Sequence, residues 1–265
     1  MSMSVALQLK PLLTGTTLNL LTQWLSPYGL RRSLVALTLL LVTALSWYYM
    51  LFAMSMNMDP VQQWQLHDIA MLFVMWAIMM AGMMLPSAAP VILLVEKLNQ
   101  QRKQRHSSYA PSLYFMLGYL IAWSFYSAII TLVQYGLHHL SLLNSMMISA
   151  NDTFTAALLF IAGIYQFTPL KQACLSQCRS PIGFISSQWR EGIDGAIWMG
   201  FKHGQYCLGC CWFLMALLFA TGVMNLKWIL LLTLLVMLEK LLPFGKISSR
   251  VIGVILISSA FYYLI

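Results

Sequence analysis

Residues 68–95 read DIAMLFVMWAIMMAGMMLPSAAPVILLV, and Asp68 is the one charged side chain in the run. An α-helix rises about 1.5 Å per residue, so about 20 such residues cross roughly 30 Å of hydrocarbon. This stretch is long enough to span a bilayer, and the rest of the chain repeats the pattern. Apolar runs recur near 34–54, 113–136, 153–168, 204–224, 226–242 and 249–265. The fourth and the last two are short. Of the 265 residues, 60% are hydrophobic and 8% charged, whereas a soluble domain carries about 25% charged residues. The mean hydropathy of +0.76 agrees. The expected fold is therefore all-α, a polytopic transmembrane helical bundle of about seven spans.

Two regions are expected. Residues 1–33 form a cytoplasmic segment, with an interfacial helix at 16–25 that carries Leu18, Leu21, Trp24 and Leu25 on one side and stops at Ser26-Pro27. Residues 34–265 form the transmembrane metal-binding domain. Ala44-Leu45-Ser46 is a small-x-small triple, but it lies inside the first apolar run and reads as membrane helix, not as a cleavage site.

Charge gives the orientation. Lys10, Arg31 and Arg32 precede the first span, and Lys97, Arg102, Lys103 and Arg105 crowd the second connection. Lys171, Arg179, Arg190 and Lys202 fill the fourth, and Lys240, Lys246 and Arg250 flank the sixth. With seven spans all of these fall on one side, and only Lys227 falls on the other. Cytoplasmic loops carry the excess of Lys and Arg, so the amino terminus lies inside and the carboxyl terminus outside. The formal charge of +8 sits in short loops between apolar runs, which suits anionic lipid headgroups and argues against nucleic acid as a partner.

Ten of the 19 methionines lie between positions 50 and 84. Met54, Met56 and Met58 form an M-x-M-x-M run in the first outer loop. Thioethers are soft, uncharged ligands that suit Cu(I), and the spacing resembles the Met-rich motifs of high-affinity copper importers. His67, Met71, Met75 and Met79 then recur every four residues as a drifting stripe on one helix face, with Asp68 beside it. Packing is the competing reading, because Met is a good filler and Met79, Met80, Met83 and Met84 spread around the helix. Pro86 and Pro90 are expected to kink or end this helix, leaving a carbonyl that some partner must satisfy. His138 and His139 read as solvated interfacial side chains.

All five cysteines fall in the cytoplasmic half of this topology. Thr168-Pro169 ends the fourth span and starts a short helix, with Thr as cap and Pro at the first helical position. Cys174 and Cys178 share one face of it, and Pro181 stops the segment. In the fifth span His203, Cys207, Cys210 and Cys211 fall within an arc of about 100°. Gly200, Gly204 and Gly209 leave room there for another element to approach closely. A reducing cytoplasm disfavours structural disulfides, so clustered thiols point to metal or redox chemistry. If the short helix folds back on the fifth span, the two sets could supply a closed four-ligand site for Cu(I), Zn²⁺ or an iron–sulfur cluster. Buried cysteine as an apolar filler is the alternative. Glu239-Lys240 reads as a local pair, with Lys240 snorkelling beside a partly buried Glu239.

Several segments together resemble a bacterial family of predicted metal-binding integral membrane proteins, a domain of unknown function with some members labelled copper chaperones. They are Met75–Ser87 (MWAIMMAGMMLPS), Tyr165–Lys171 (YQFTPLK), Cys174–Pro181 (CLSQCRSP) and Gly204–Trp212 (GQYCLGCCW), with Glu239-Lys240 also fitting. The resemblance runs from about 67 to 243 and implies metal binding at the cysteines and residence in the bacterial inner membrane. It does not extend to the Met54–Met58 loop.

Three functions compete. In the first, the protein handles Cu(I) through Met and Cys ligands, by transport or by delivery to a cuproenzyme. In the second, the cysteines form a metal staple in an assembly or structural subunit of a membrane complex. In the third, they cycle between dithiol and disulfide, although membrane disulfide carriers work on the oxidising side and these thiols are expected inside. No Walker loop, G-x-S-x-G or dinucleotide fingerprint supports hydrolysis or group transfer.

Overall fold

The structure, a computed structural model, describes residues 27–52, 65–143, 151–242 and 245–264. The expected interfacial helix at 16–25 and the Met54, Met56 and Met58 run lie outside the described residues. The helices are α1 (Pro27–Phe52), α2 (Leu66–Gln104), α3 (Ser112–His139), α4 (Asp152–Tyr165) and α5 (Pro169–Arg179). They continue with α6 (Pro181–Gln188), α7 (Gly192–Ala216), α8 (Leu218–Thr221), α9 (Leu226–Leu241) and α10 (Gly245–Tyr262). No strand occurs among the described residues, and the fold is all-helical.

Each of the seven apolar runs is largely helical over its described residues, the fifth being divided between α7 and α8. Four segments are long and apolar enough to cross a membrane: Arg31–Phe52, Leu66–Gln104, Ser112–His139 and Gly192–Thr221. A fifth is obtained if α4 and α5, bent by 64° at their junction, count as one broken span. The runs expected as sixth and seventh spans form α9, with 16 residues, and α10, with 18. At about 1.5 Å per residue α9 reaches only about 24 Å.

The helix boundaries follow from local chemistry. Asp68 begins α2 as part of a capping box, accepting from the Gln65 backbone N–H at 2.8 Å. Helix α7 starts twelve residues before the expected 204, at Gly192, with Asp194 in its first turn. A carboxylate there suits the positive helix end, yet such polar residues hide the helix from a hydropathy reading. Helix α2 does not end at Pro86 or Pro90 but runs through both to Gln104. Pro86 lacks the N–H that would bond the Gly82 carbonyl, and Trp47 Nε1 of α1 donates to that carbonyl at 3.3 Å.

Helix α7 lies at the centre, packed on α3 and α5, while α2 packs on α1, α3 and α9, and α10 packs on α4. Backbone touches backbone where α3 meets α7. A Cβ at Gly200 would lie 1.9 Å from the Phe115 carbonyl oxygen, and one at Gly118 would lie 2.1 Å from that of Ile197. Small residues permit such contact, and dispersion between close backbones then holds the pair. Trp76 Nε1 donates to Gln134 Oε1 at 2.6 Å, joining α2 to α3 deep in the core. At the other end of these helices the Asn99 side chain makes two bonds to Ala110, at 2.6 and 3.1 Å.

Candidate functional site

The cysteines are brought together by a cap, a bend and a glycine. Thr168 caps α5, its hydroxyl accepting from Lys171 N–H at 3.3 Å, and Pro169 occupies the first turn. The bend at this point turns α5 back onto α7. Cys174, half-buried, then presses on α7 at Gly209, where a Cβ would lie 2.5 Å from its Sγ. The Tyr165 hydroxyl donates to the Gly209 carbonyl and fixes the same junction. One turn further along α5, the buried Cys178 thiol neighbours that of Cys210.

On α7, His203, Cys207, Cys210 and Cys211 are all buried, as their shared face requires. Cys207 is the hub. Lys240 Nζ of α9 lies 2.9 Å from its sulfur, and the Tyr119 hydroxyl of α3 lies 3.1 Å from it. Cys210 and Cys211 direct their thiols to the Cys207 carbonyl at 3.1 and 2.9 Å. Lys240 also donates to Ser87 Oγ of α2 at 3.0 Å, and Ser87 in turn donates to the Met84 carbonyl at 2.8 Å. Three helices, α3, α7 and α9, therefore meet at one sulfur, and α2 joins them through Lys240.

His203 sits one turn before Cys207, ringed by Phe184, Tyr119 and Phe115 with ring centroids 4.9, 5.9 and 6.0 Å away. Its Nδ1 is buried without a hydrogen-bond partner. A buried polar atom normally has a partner, so an unmet imidazole nitrogen one turn from Cys207 is available as a donor to a metal. Among the described residues, however, no three His, Cys, Asp or Glu side chains are set to hold a metal ion as they stand. The closed four-ligand cage is not formed. The thiols of Cys210 and Cys211 are turned to their own helix carbonyl, and Cys207 is taken by Lys240. All five cysteines are free thiols.

The local reading of Glu239-Lys240 does not hold. The two side chains leave α9 in different directions, and Lys240 does not snorkel but is 7% exposed. Glu239 pairs instead with Lys171, both carboxylate oxygens lying 2.9 Å from its Nζ. Ser249 of α10 donates to the same carboxylate at 2.9 Å, and Lys171 also donates to Gln166 Oε1. Lys171, expected as a loop cation, has no exposed surface. Sequence reasoning missed Lys240, Tyr119 and Ser87 as parts of the site. One available signal was that a lysine near the end of an apolar run needs an anion if it cannot reach water.

The outer Met–His stripe is not gathered into one site. His67 and Met71 are exposed while Met75 is buried. Helix α2 turns far enough over eight residues to carry the stripe from the surface into the core. Met79, Met80, Met83 and Met84 are buried too, on both sides of the helix.

Fold and site together define a bundle of apolar helices with Cys178, Cys207, Cys210 and Cys211 buried in its core. A family model described as copper chaperone, PpoB2, matches residues 73–263. The chain belongs to this copper chaperone family, as the cysteine-block resemblance implied. The match holds every cysteine, Met75, His203 and Lys240, and it begins after His67 and Met71. No curated protein and no solved structure matches the chain.

Proposed function

We propose that this protein is an integral membrane Cu(I) chaperone that holds the ion on buried thiolates and gives it to a cuproenzyme, with Cu(I) as its cargo. The observation that carries this reading is the burial of Cys178, Cys210 and Cys211 around Cys207, whose sulfur meets Lys240 of α9 and Tyr119 of α3. Thiolates and imidazole are soft to borderline donors, and in a water-poor core they favour Cu(I) over hard cations. Cys174, Cys211 and His203 extend the donor set. Membership of a copper chaperone family supports the same conclusion. A structural metal staple of Zn²⁺ or an iron–sulfur cluster calls for four closed ligands, a demand that the present thiol directions meet poorly.

The site would load after side-chain rotation, with Cys210 and Cys211 leaving the Cys207 carbonyl to face the ion. The Met54, Met56 and Met58 run, with His67 and Met71, would receive copper on the outer side, and the buried Met75 would lie inward of them. Seven spans with the amino terminus inside would place the thiols in the reducing half of the bilayer. The test is the Cu(I) content of detergent-purified protein loaded without oxygen. Cys178→Ser and Cys207→Ser should each lower bound copper, and the double mutant should lose little more, because ligands of one site act as a unit. Unchanged copper in all the single Cys→Ser variants, with thermal unfolding intact, returns the cysteines to core packing.

A further inference from the structure

We propose that Lys240 is the fixed counter-cation of the copper site: its ammonium neutralises a Cu(I)–bis(thiolate) unit built on Cys207 and thereby selects the monovalent ion over divalent ones. The inference rests on the reading of the thiols as copper ligands.

Lys240 is buried, with Nζ 2.9 Å from Cys207 Sγ and 3.0 Å from Ser87 Oγ. The carboxylate next to it in the chain is committed elsewhere. Glu239 points about 100° around α9 to Lys171 and Ser249. Among the described residues Lys240 has no carboxylate partner. A cation out of water is strongly unfavourable unless an anion sits beside it. Ser87 is neutral, and its own hydroxyl proton is given to Met84. The anion within reach is the Cys207 sulfur, which Lys240 faces.

Counting charge then discriminates between metals. One Cu⁺ binding the Cys207 thiolate and one neighbouring thiol forms two Cu–S bonds, releases that thiol's proton to bulk water and leaves a unit of charge −1, with no change of oxidation state. Lys240 brings the total to zero. A divalent ion on the same two thiolates gives zero by itself and +1 with the lysine. Four thiolates around Zn²⁺ give −2, which one lysine only half offsets. Uncompensated charge is heavily penalised in a buried site, so the zero-sum arrangement is favoured.

The experiment uses the full chain in detergent, loaded without oxygen. Cu(I) affinity is read by competition with a chromophoric Cu(I) chelator, and selectivity by the Zn:Cu ratio retained from an equimolar mixture. Lys240→Met, which keeps length and removes charge, should weaken Cu(I) binding by about tenfold or more and raise the Zn:Cu ratio. Lys240→Arg should restore the wild-type ratio. Ser87→Asp is the second variant, because it cancels the lysine's charge while giving it a partner and so supports folding. It should weaken Cu(I) in the same direction. Wild-type protein that binds no Cu(I) would overturn the functional reading itself. Wild-type binding with unchanged affinity and ratio in a folded Lys240→Met or Ser87→Asp protein would overturn only the role of Lys240.

Discussion

At the residue scale the site is defined by what each polar atom faces. His203 fills a slot between Phe115, Tyr119 and Phe184, where a phenyl ring would pack as well as an imidazole. Its unpartnered Nδ1 is the chemical difference. His203→Phe should therefore leave thermal unfolding nearly unchanged while lowering Cu(I) affinity by about tenfold, measured by the same chelator competition. Equal affinity in the variant would make the imidazole a packing ring. Cys207 differs from its neighbours in the same way. It faces Lys240 and Tyr119, whereas Cys210 and Cys211 face a carbonyl of their own helix.

At the scale of elements, helices that break a local rule are repaired by a neighbour. Helix α2 crosses Pro86 because Trp47 of α1 supplies the missing donor to Gly82. Leaving that carbonyl unsatisfied costs about 1–3 kcal/mol. Trp47→Phe should lower stability by about that amount, in addition to a small packing loss. In a Pro86→Ala background the new backbone N–H at position 86 can bond Gly82 O, so the same tryptophan change should cost less. Thermal unfolding of the four proteins as a double-mutant cycle isolates the hydrogen bond, and strictly additive losses would refute the repair. The α3–α7 contact obeys the same logic, since Gly118 and Gly200 allow a backbone approach that no larger residue would tolerate.

At the scale of the whole molecule, charged side chains find partners both at the ends of the bundle and inside it. Arg102 pairs with Glu191 and stacks on Trp189 at 4.7 Å, while Lys103 lies over Tyr109 at 4.0 Å. These cation–aromatic contacts join the α2–α3 turn to the start of α7, where Gly192 N–H donates to the Tyr109 carbonyl at 3.0 Å. Lys171 and Glu239 do the internal counterpart, tying α5 to α9 and, through Ser249, to α10. Removing Lys171 and Lys240 from the cations expected on the cytoplasmic side leaves Lys10, Arg31, Arg32, Lys97, Arg102, Lys103, Arg105, Arg179, Arg190, Lys202, Lys246 and Arg250. A reporter fused after Arg105 should read cytoplasm and one fused after Ile265 should read outside. Both on one side would mean an even number of crossings and would move the thiols relative to the membrane faces.

The amino-acid sequence by itself determined the helices and the direction of side chains on each. Long apolar runs must satisfy their own backbone bonds, so they became helices. Thr168-Pro169 started α5 where the cap chemistry required, and a turn of about 100° per residue put His203, Cys207, Cys210 and Cys211 on one face of α7. What lies opposite that face was decided only by tertiary structure. Lys171 and Glu239 are 68 positions apart, and Cys207 and Lys240 are 33 apart. Adjacent Glu239 and Lys240 looked like partners in one dimension, yet they serve two separate networks because successive side chains on a helix diverge. Periodicity sets where a side chain points relative to its own axis. Only the packing of α5, α7 and α9 sets whether it meets lipid, a carboxylate or a thiol.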